Sequence, residues 1–284
     1  MDNAIRKRKL KIVLSGHLGN LGLSYDGIEL LPELFRNGRW LRLWREAAAL
    51  TAARQLRWRG VLARIFAPWS PPALWVWINK IARGYAPDAG DFTAIHPRRL
   101  GELDLSVRAT AQFRALSYRR WKDSFGMRLH ALQTMDPGNY QKGALAGVQV
   151  DYRDPTSDVR LLEFCLAVPT EQFLHNGTLR SLARRAVADR LPKQVLEESR
   201  RGFQVADWHE DLTASRDHVF AELDRLETCP AAAAVLDLPR LRQLTENWPS
   251  SGWERKEIEL PYRYTLLRAI AVGHFLRRAT GSNC

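Results

Sequence analysis

The sequence predicts an α/β protein in which helices dominate and about one strand of the sheet remains. Three observations predict it. Leu10-Lys11-Ile12-Val13-Leu14 is a short apolar run that ends at Ser15-Gly16 and enters a loop holding Gly19, Gly22 and Gly27, the pattern of a strand followed by a turn. From there almost to the C-terminus, apolar residues recur at three- and four-residue spacing with breaks at Pro and Gly, which is a helical period. A lone strand leaves its backbone donors and acceptors without neighbours, so further strands are expected from upstream or from a partner.

The bulk numbers fit this class. At 284 residues, 45% hydrophobic and 26% charged, the chain has the composition of a folded soluble protein with a sizeable core. No apolar run approaches the roughly 20 residues needed to cross a bilayer. The basic N-terminus leads into a strand and not into a signal-type apolar region, so a cytoplasmic location and no membrane partner are expected. Cys165, Cys229 and Cys284 match neither a disulfide framework nor a zinc site, and Cys165, inside an apolar helical pattern, reads as a buried small hydrophobe. The formal charge of +12 and a pI near 10.0 leave room, on charge alone, for nucleic acid, a lipid surface or a phosphorylated ligand. No recognised nucleic-acid motif is present, and nucleic acid is not expected.

After the strand and its loop, helices are expected over residues 28–36, 41–56, 73–82, 107–122, 127–135, 158–167, 179–190, 209–226 and 262–278. Trp40, Trp44, Trp58, Trp69, Trp75 and Trp77 crowd the first third, and core or helix-packing aromatics, with Arg stems lying over them, are favoured over a base-stacking platform. Residues 83–105, rich in Pro, Gly and Asp, read as a connection. There is no internal repeat and no low-complexity tail.

Three segments carry chemistry. In the first, residues 12–20, a strand ending in Ser15-Gly16 presents backbone N–H groups and a hydroxyl at its carboxyl end, where open α/β sheets bind ligands; by itself it also reads as an ordinary turn. In the second, Asp158 is placed to cap the helix that follows, while Asp151 and Arg153 lie on an extended stretch where they either pair or face a charged ligand. In the third, Arg180, Arg184 and Arg185 read as a solvated helix face. Arg200 and Arg201 precede Gly202 in a loop, where a fixed cation meets a phosphate.

In this order, Val13-Leu14-Ser15-Gly16, the stretch from Asp151 to Asp158 with Leu166 to Pro169, and Leu179 to Phe203 resemble the synthetase domain of glutamine-dependent asparagine synthetases, lasso-peptide cyclases and β-lactam synthetases. The resemblance spans about residues 9 to 210. It implies an adenine-nucleotide hydrolase-like parallel sheet flanked by helices, here a predominantly helical fragment. Residues 1–210 would form a partial ATP-pyrophosphatase-type domain and residues 211–284 its helical extension. It also implies ATP and Mg2+ for the complete family domain, activation of a small-molecule or peptide carboxylate as its adenylate, and attack by an amine to give an amide. Carried over by position, Asp151, Arg153 and Arg200 take catalytic roles; Ser15, Gly16 and Arg200 lie by the nucleotide, and no metal ligand is assigned.

The departures are specific. The family's Ser-Gly-Gly-x-Asp-Ser pyrophosphate loop occurs nowhere in the chain, nor does the glutaminase domain, so a glutaminase or a missing N-terminal half is an expected partner. The chain alone is expected to be inactive. His17, Asn20 and Leu21 stand where acidic residues are common, which argues against magnesium there and points toward peptide-cyclising branches. Asp151 replaces a glutamate, and Arg200 stands where a lysine is expected; it supplies charge without a transferable proton. The competing reading is a non-catalytic, basic, helical binding or accessory protein.

Overall fold

The structure, a computed structural model, describes residues 5, 7–83, 93–104, 121–198 and 205–281. It divides into two units, residues 1–71 with 119–200 and residues 72–118 with 201–284.

In the first unit the apolar run forms β1 (Ile12–Leu14), and Asp151–Arg153 form β2. They pair in parallel, with Ile12 opposite Asp151, Val13 opposite Tyr152 and Leu14 opposite Arg153. The Asp151 N–H donates to the Lys11 carbonyl at 2.9 Å and the Ser15 N–H to the Arg153 carbonyl at 2.8 Å. The expected single strand therefore has a neighbour within the chain. Asp-Tyr-Arg carries little β-propensity, and only pairing with β1 makes it a strand. Among the described residues the sheet has these two strands, so each keeps one open edge. Opposed residues of a parallel pair share a face: Val13 and Tyr152 are half-buried on one side, while Ile12 and Leu14 are 49% and 70% exposed on the other.

The helix Pro137–Val148 delivers the chain to β2. Its start follows from the Asp136 cap, which accepts from the Asn139 N–H at 3.2 Å, and from Pro at the first helical position. Its end is Gln149, in a left-handed conformation at φ 58°, after which buried Val150 leads into the strand. Gly138, Gly143 and Gly147 interrupt the apolar period, which is why periodicity does not announce this helix.

The core of this unit packs Leu30, Leu31 and Leu34 of the helix Leu30–Arg36 against Leu43, Ala47 and Leu50 of Trp40–Ala52 and Val61 and Ile65 of Trp58–Phe66. These aliphatic residues take the buried faces, and the tryptophans do not. Trp40, Trp44, Trp58 and Trp69 are exposed, so they are not core residues; of the two packing expectations the helix-packing one holds, with Trp44 against Trp58 and Phe35 against Trp40. Buried Glu46 accepts from the Asn176 and Gly177 N–H groups at 3.1 and 2.9 Å. Gly177, at φ 72°, lies so close to Ala49 that a Cβ would meet its carbonyl carbon at 2.6 Å.

In the second unit the expected helix over 209–226 is two helices, Trp208–Ala214 and Arg216–Glu227, broken at Ser215. They share a core with Leu238–Glu246 and Leu267–Ala279 that includes Leu223, Leu226, Leu241 and Leu266 with Trp208, Trp253 and Tyr262. A π-helical stretch, Leu260–Leu266, precedes the last helix. Buried Arg277 meets Glu222 at 3.2 Å, which satisfies both charges away from water. The presumed connection 83–105 contains a helix, Pro97–Glu102, whereas the helix expected over 107–122 falls almost wholly outside the described residues.

One buried cation joins four segments of the first unit. Arg128, on the helix Ser124–Thr134, is 1% exposed and lies 4.7 Å from the Tyr25 ring and 4.9 Å from the Phe173 ring. It donates to the Cys165 carbonyl at 2.9 Å. Burial lowers the guanidinium pKa, and Tyr25, Cys165, Glu33 and Glu29 work against that shift. Replacing it strands the Cys165 carbonyl and uncovers the carboxylates. Arg128→Leu is expected to cost about 3 kcal/mol in urea unfolding; a cost under about 1 kcal/mol would show that the two rings, without the cation, hold these segments together.

Candidate functional site

Because β1 and β2 run in the same direction, the chain leaves both at one end, the place where open parallel sheets present ligand-binding groups. Ser15 leaves β1 there. The loop behind it winds on itself: the N–H groups of Gly19, Gly22 and Ser24 donate to the carbonyls of Gly16, Leu18 and Gly19 at 3.1, 3.2 and 3.0 Å.

Asp154, the first residue after β2, latches this loop. One carboxylate oxygen accepts from the Leu18 N–H at 2.9 Å, and the other from the Thr156 N–H and hydroxyl at 2.8 and 2.5 Å. Partial burial works to raise the Asp154 pKa; the bonds from Thr156, Leu18 and His17 outweigh it and hold the carboxyl below its ordinary range. Four residues on, Asp158 caps the helix Val159–Ala167 through the Arg160 N–H at 2.9 Å, as expected. The Arg160 side chain is the main cause of its low pKa, about 2.

A cavity of 610 Å³ opens at this end of the strands. Val13, Leu14, Leu18, Met135, Pro137 and Tyr152 give it apolar walls, and Ser15, His17, Gln141, Ser157, Asp136 and Asp154 give it polar points. No Lys or Arg is among these lining residues. Such a wall accepts a flat, largely apolar group with a few hydrogen-bonding edges. It does not neutralise several negative charges. Among the described residues there is no group of three or more His, Cys, Asp or Glu placed to hold a metal. The two carboxylates of the cavity are already engaged, Asp136 by its helix cap and Asp154 by the latch.

Of the residues singled out in the sequence, Ser15 lines the cavity and Gly16 lies beside it with no atom within 4 Å of where a Cβ would stand. Asp151 and Arg153 pair with each other at 2.8 Å, on the sheet face opposite Val13 and Tyr152. Arg200 lies outside the described residues. The solvated-face reading holds for Arg180 and Arg185, which are exposed, and is corrected for Arg184, which is half-buried. Arg184 donates to the Leu179, Leu196 and Glu198 carbonyls, and Arg185 to the carbonyl and side-chain oxygen of Gln172. Arg184 thereby anchors the segment that leads toward Arg200. Asp154, Met135 and Gln141 are not identified from the sequence. For Asp154 a signal exists, since Asp-Pro-Thr-Ser is a turn-forming run whose first carboxylate bonds the backbone two residues on.

Comparison with protein families gives one match: a family model described as asparagine synthase covers residues 1–267. No curated protein and no solved structure matches the chain.

The latch has a pH signature. The native Asp154 pKa lies below that of the unfolded chain, so its stabilisation is present above the ordinary carboxylate range and is lost as pH falls through the depressed native value. Asp154→Asn is expected to lower stability at neutral pH by about 1–2 kcal/mol and to speed hydrogen exchange at Leu18. The gap from wild type should close below roughly pH 4. Equal stability at neutral pH would show that the loop holds itself.

Proposed function

The chain belongs to the asparagine synthase family, and from that premise we propose that the cavity at the ends of β1 and β2 receives the adenine and ribose of ATP in an amide-forming ligase. Membership carries ATP-dependent amide formation at the level of the family. The observation that supports the finer reading is the cavity wall, apolar on its sides, with the hydroxyls of Ser15 and Ser157 and the amide of Gln141 within it and no cation. A base and a sugar suit this wall, and a triphosphate needs charge from elsewhere. Arg200, in the basic sequence run before Gly202, is the proposed source.

In the proposed reaction a substrate carboxylate oxygen attacks the α-phosphorus of ATP and pyrophosphate leaves. An amine then attacks the acyl carbon, AMP leaves, and the nitrogen loses a proton. The Asp151–Arg153 pair serves the substrate: Arg153 offers a fork for a carboxylate, and Asp151 offers a negative charge for an incoming amine. Magnesium, when bound, would neutralise phosphate charge; the described residues supply no donor set for it.

Two further elements belong to the proposal. Among the described residues β1 and β2 each keep an open edge, with Ile12 and Leu14 exposed beside them, which supports completion of the sheet and its pyrophosphate loop by another polypeptide segment that turnover requires. His17, Asn20 and Leu21, in place of acidic residues, support a branch that activates a peptide carboxylate.

Calorimetric titration separates the two ends of the nucleotide. Arg200→Ala is expected to weaken ATP binding about tenfold while leaving adenosine binding unchanged. Equal loss for both ligands, or for neither, would remove Arg200 from the phosphates.

A further inference from the structure

The first unit carries an exposed face that the nucleotide cavity does not use. On the helix Trp40–Ala52, Trp40, Leu41 and Trp44 are 56%, 81% and 65% exposed; on the helix Trp58–Phe66, Trp58, Leu62 and Phe66 are 43%, 51% and 47% exposed. The spacing of the second set, every fourth residue, makes a stripe along one side of its helix. Ring contacts join the helices into one patch. Trp44 stacks on Trp58 at 5.2 Å, and Phe35 meets Trp40 and Phe66 at 5.0 and 5.3 Å.

The charge that the segment carrying the patch brings to it is mostly positive. Between Asn37 and Ser70 the sole acidic residue is Glu46, which is buried and occupied by backbone N–H groups. Arg39 and Arg42 are engaged by Glu171. Arg45, Arg54, Arg57 and Arg59 are exposed and form no ion pair among the described residues. Tryptophan and leucine flanked by arginine are the composition of a surface that lies in a membrane interface, with rings at headgroup depth and guanidinium groups on anionic lipid.

We propose that this face docks on the surface of an anionic phospholipid bilayer. The chain lies on the membrane and does not cross it, since no helix among the described residues is long and apolar enough to span one. Two other occupants fit the chemistry less well. Single-stranded nucleic acid stacks its bases on open ring faces, but Trp44 and Trp58 close one face of each against the other, and Leu41 and Leu62 offer a base nothing to stack on. A second copy would bring four unpaired arginines against four more.

Co-sedimentation of the full chain with phosphatidylcholine vesicles, with and without phosphatidylglycerol, tests the proposal. Binding only to the mixed vesicles, weakened by salt and accompanied by a blue shift of tryptophan emission, is expected. Two double variants, Leu41→Ser with Leu62→Ser and Arg45→Gln with Arg59→Gln, should each lower that partitioning about tenfold at unchanged circular dichroism. No binding to mixed vesicles would overturn the proposal, as would binding that both variants leave intact. A tighter complex with single-stranded RNA than with vesicles, or a dimer in light scattering that Leu41→Ser abolishes, would also overturn it.

Discussion

Three residues on each of two strands, far apart in the chain, hold the candidate site together. The parallel pairing of Ile12–Leu14 with Asp151–Arg153 sets Ser15 beside Asp154, and the Asp154 carboxylate then fixes the loop behind Ser15 across a separation of 136 residues. Without the pairing there is no common strand end. Without the latch the cavity loses part of its rim. Two strands are few for a sheet, since an isolated pair is marginal in water, so the elements around them carry the load. The helix Pro137–Val148 ends at Gln149 so as to aim the chain into β2. The helix Val159–Ala167, capped by Asp158, leads it away.

Buried charge ties segments together beside the apolar cores. Arg128 clasps two aromatic rings and a helix-end carbonyl, Glu46 holds the turn at Gly177, and Glu222 and Arg277 satisfy each other in the second unit. Glu46, Glu222 and Arg277 have hydrogen-bonding partners in place, the condition for a buried charge to stabilise, whereas the Arg128 Nε has no hydrogen-bond partner and that side chain relies on one carbonyl and two ring faces. The positive excess of the chain is therefore not spread evenly. Part of it is consumed inside, and part is left on the face of Arg45, Arg54, Arg57 and Arg59.

Much of this was legible in the sequence where a residue acts on its own neighbours. β1 was readable because β-branched Ile12 and Val13 sit before a Gly-rich turn, and the Asp158 cap because capping is decided within three residues. The family followed from the order of short motifs, and the match over residues 1–267 agrees. What stayed hidden depends on distant partners. Asp151–Arg153 become a strand only against β1. Asp154 shows its turn but not the Leu18 N–H that it reaches. The tryptophans illustrate the limit of composition: Leu43, Ala47, Leu50, Val61 and Ile65 already fill the core, and the larger rings are left outside.

In the proposed function the nucleotide's base enters the cavity formed at the ends of the two strands. Photolabelling of the full chain with 8-azido-ATP, followed by peptide mapping, tests it most directly. Label on the segments 13–18 and 135–141, competed away by adenosine, is the expected result. Label confined to the second unit, or label in the first unit that adenosine does not compete, would contradict it.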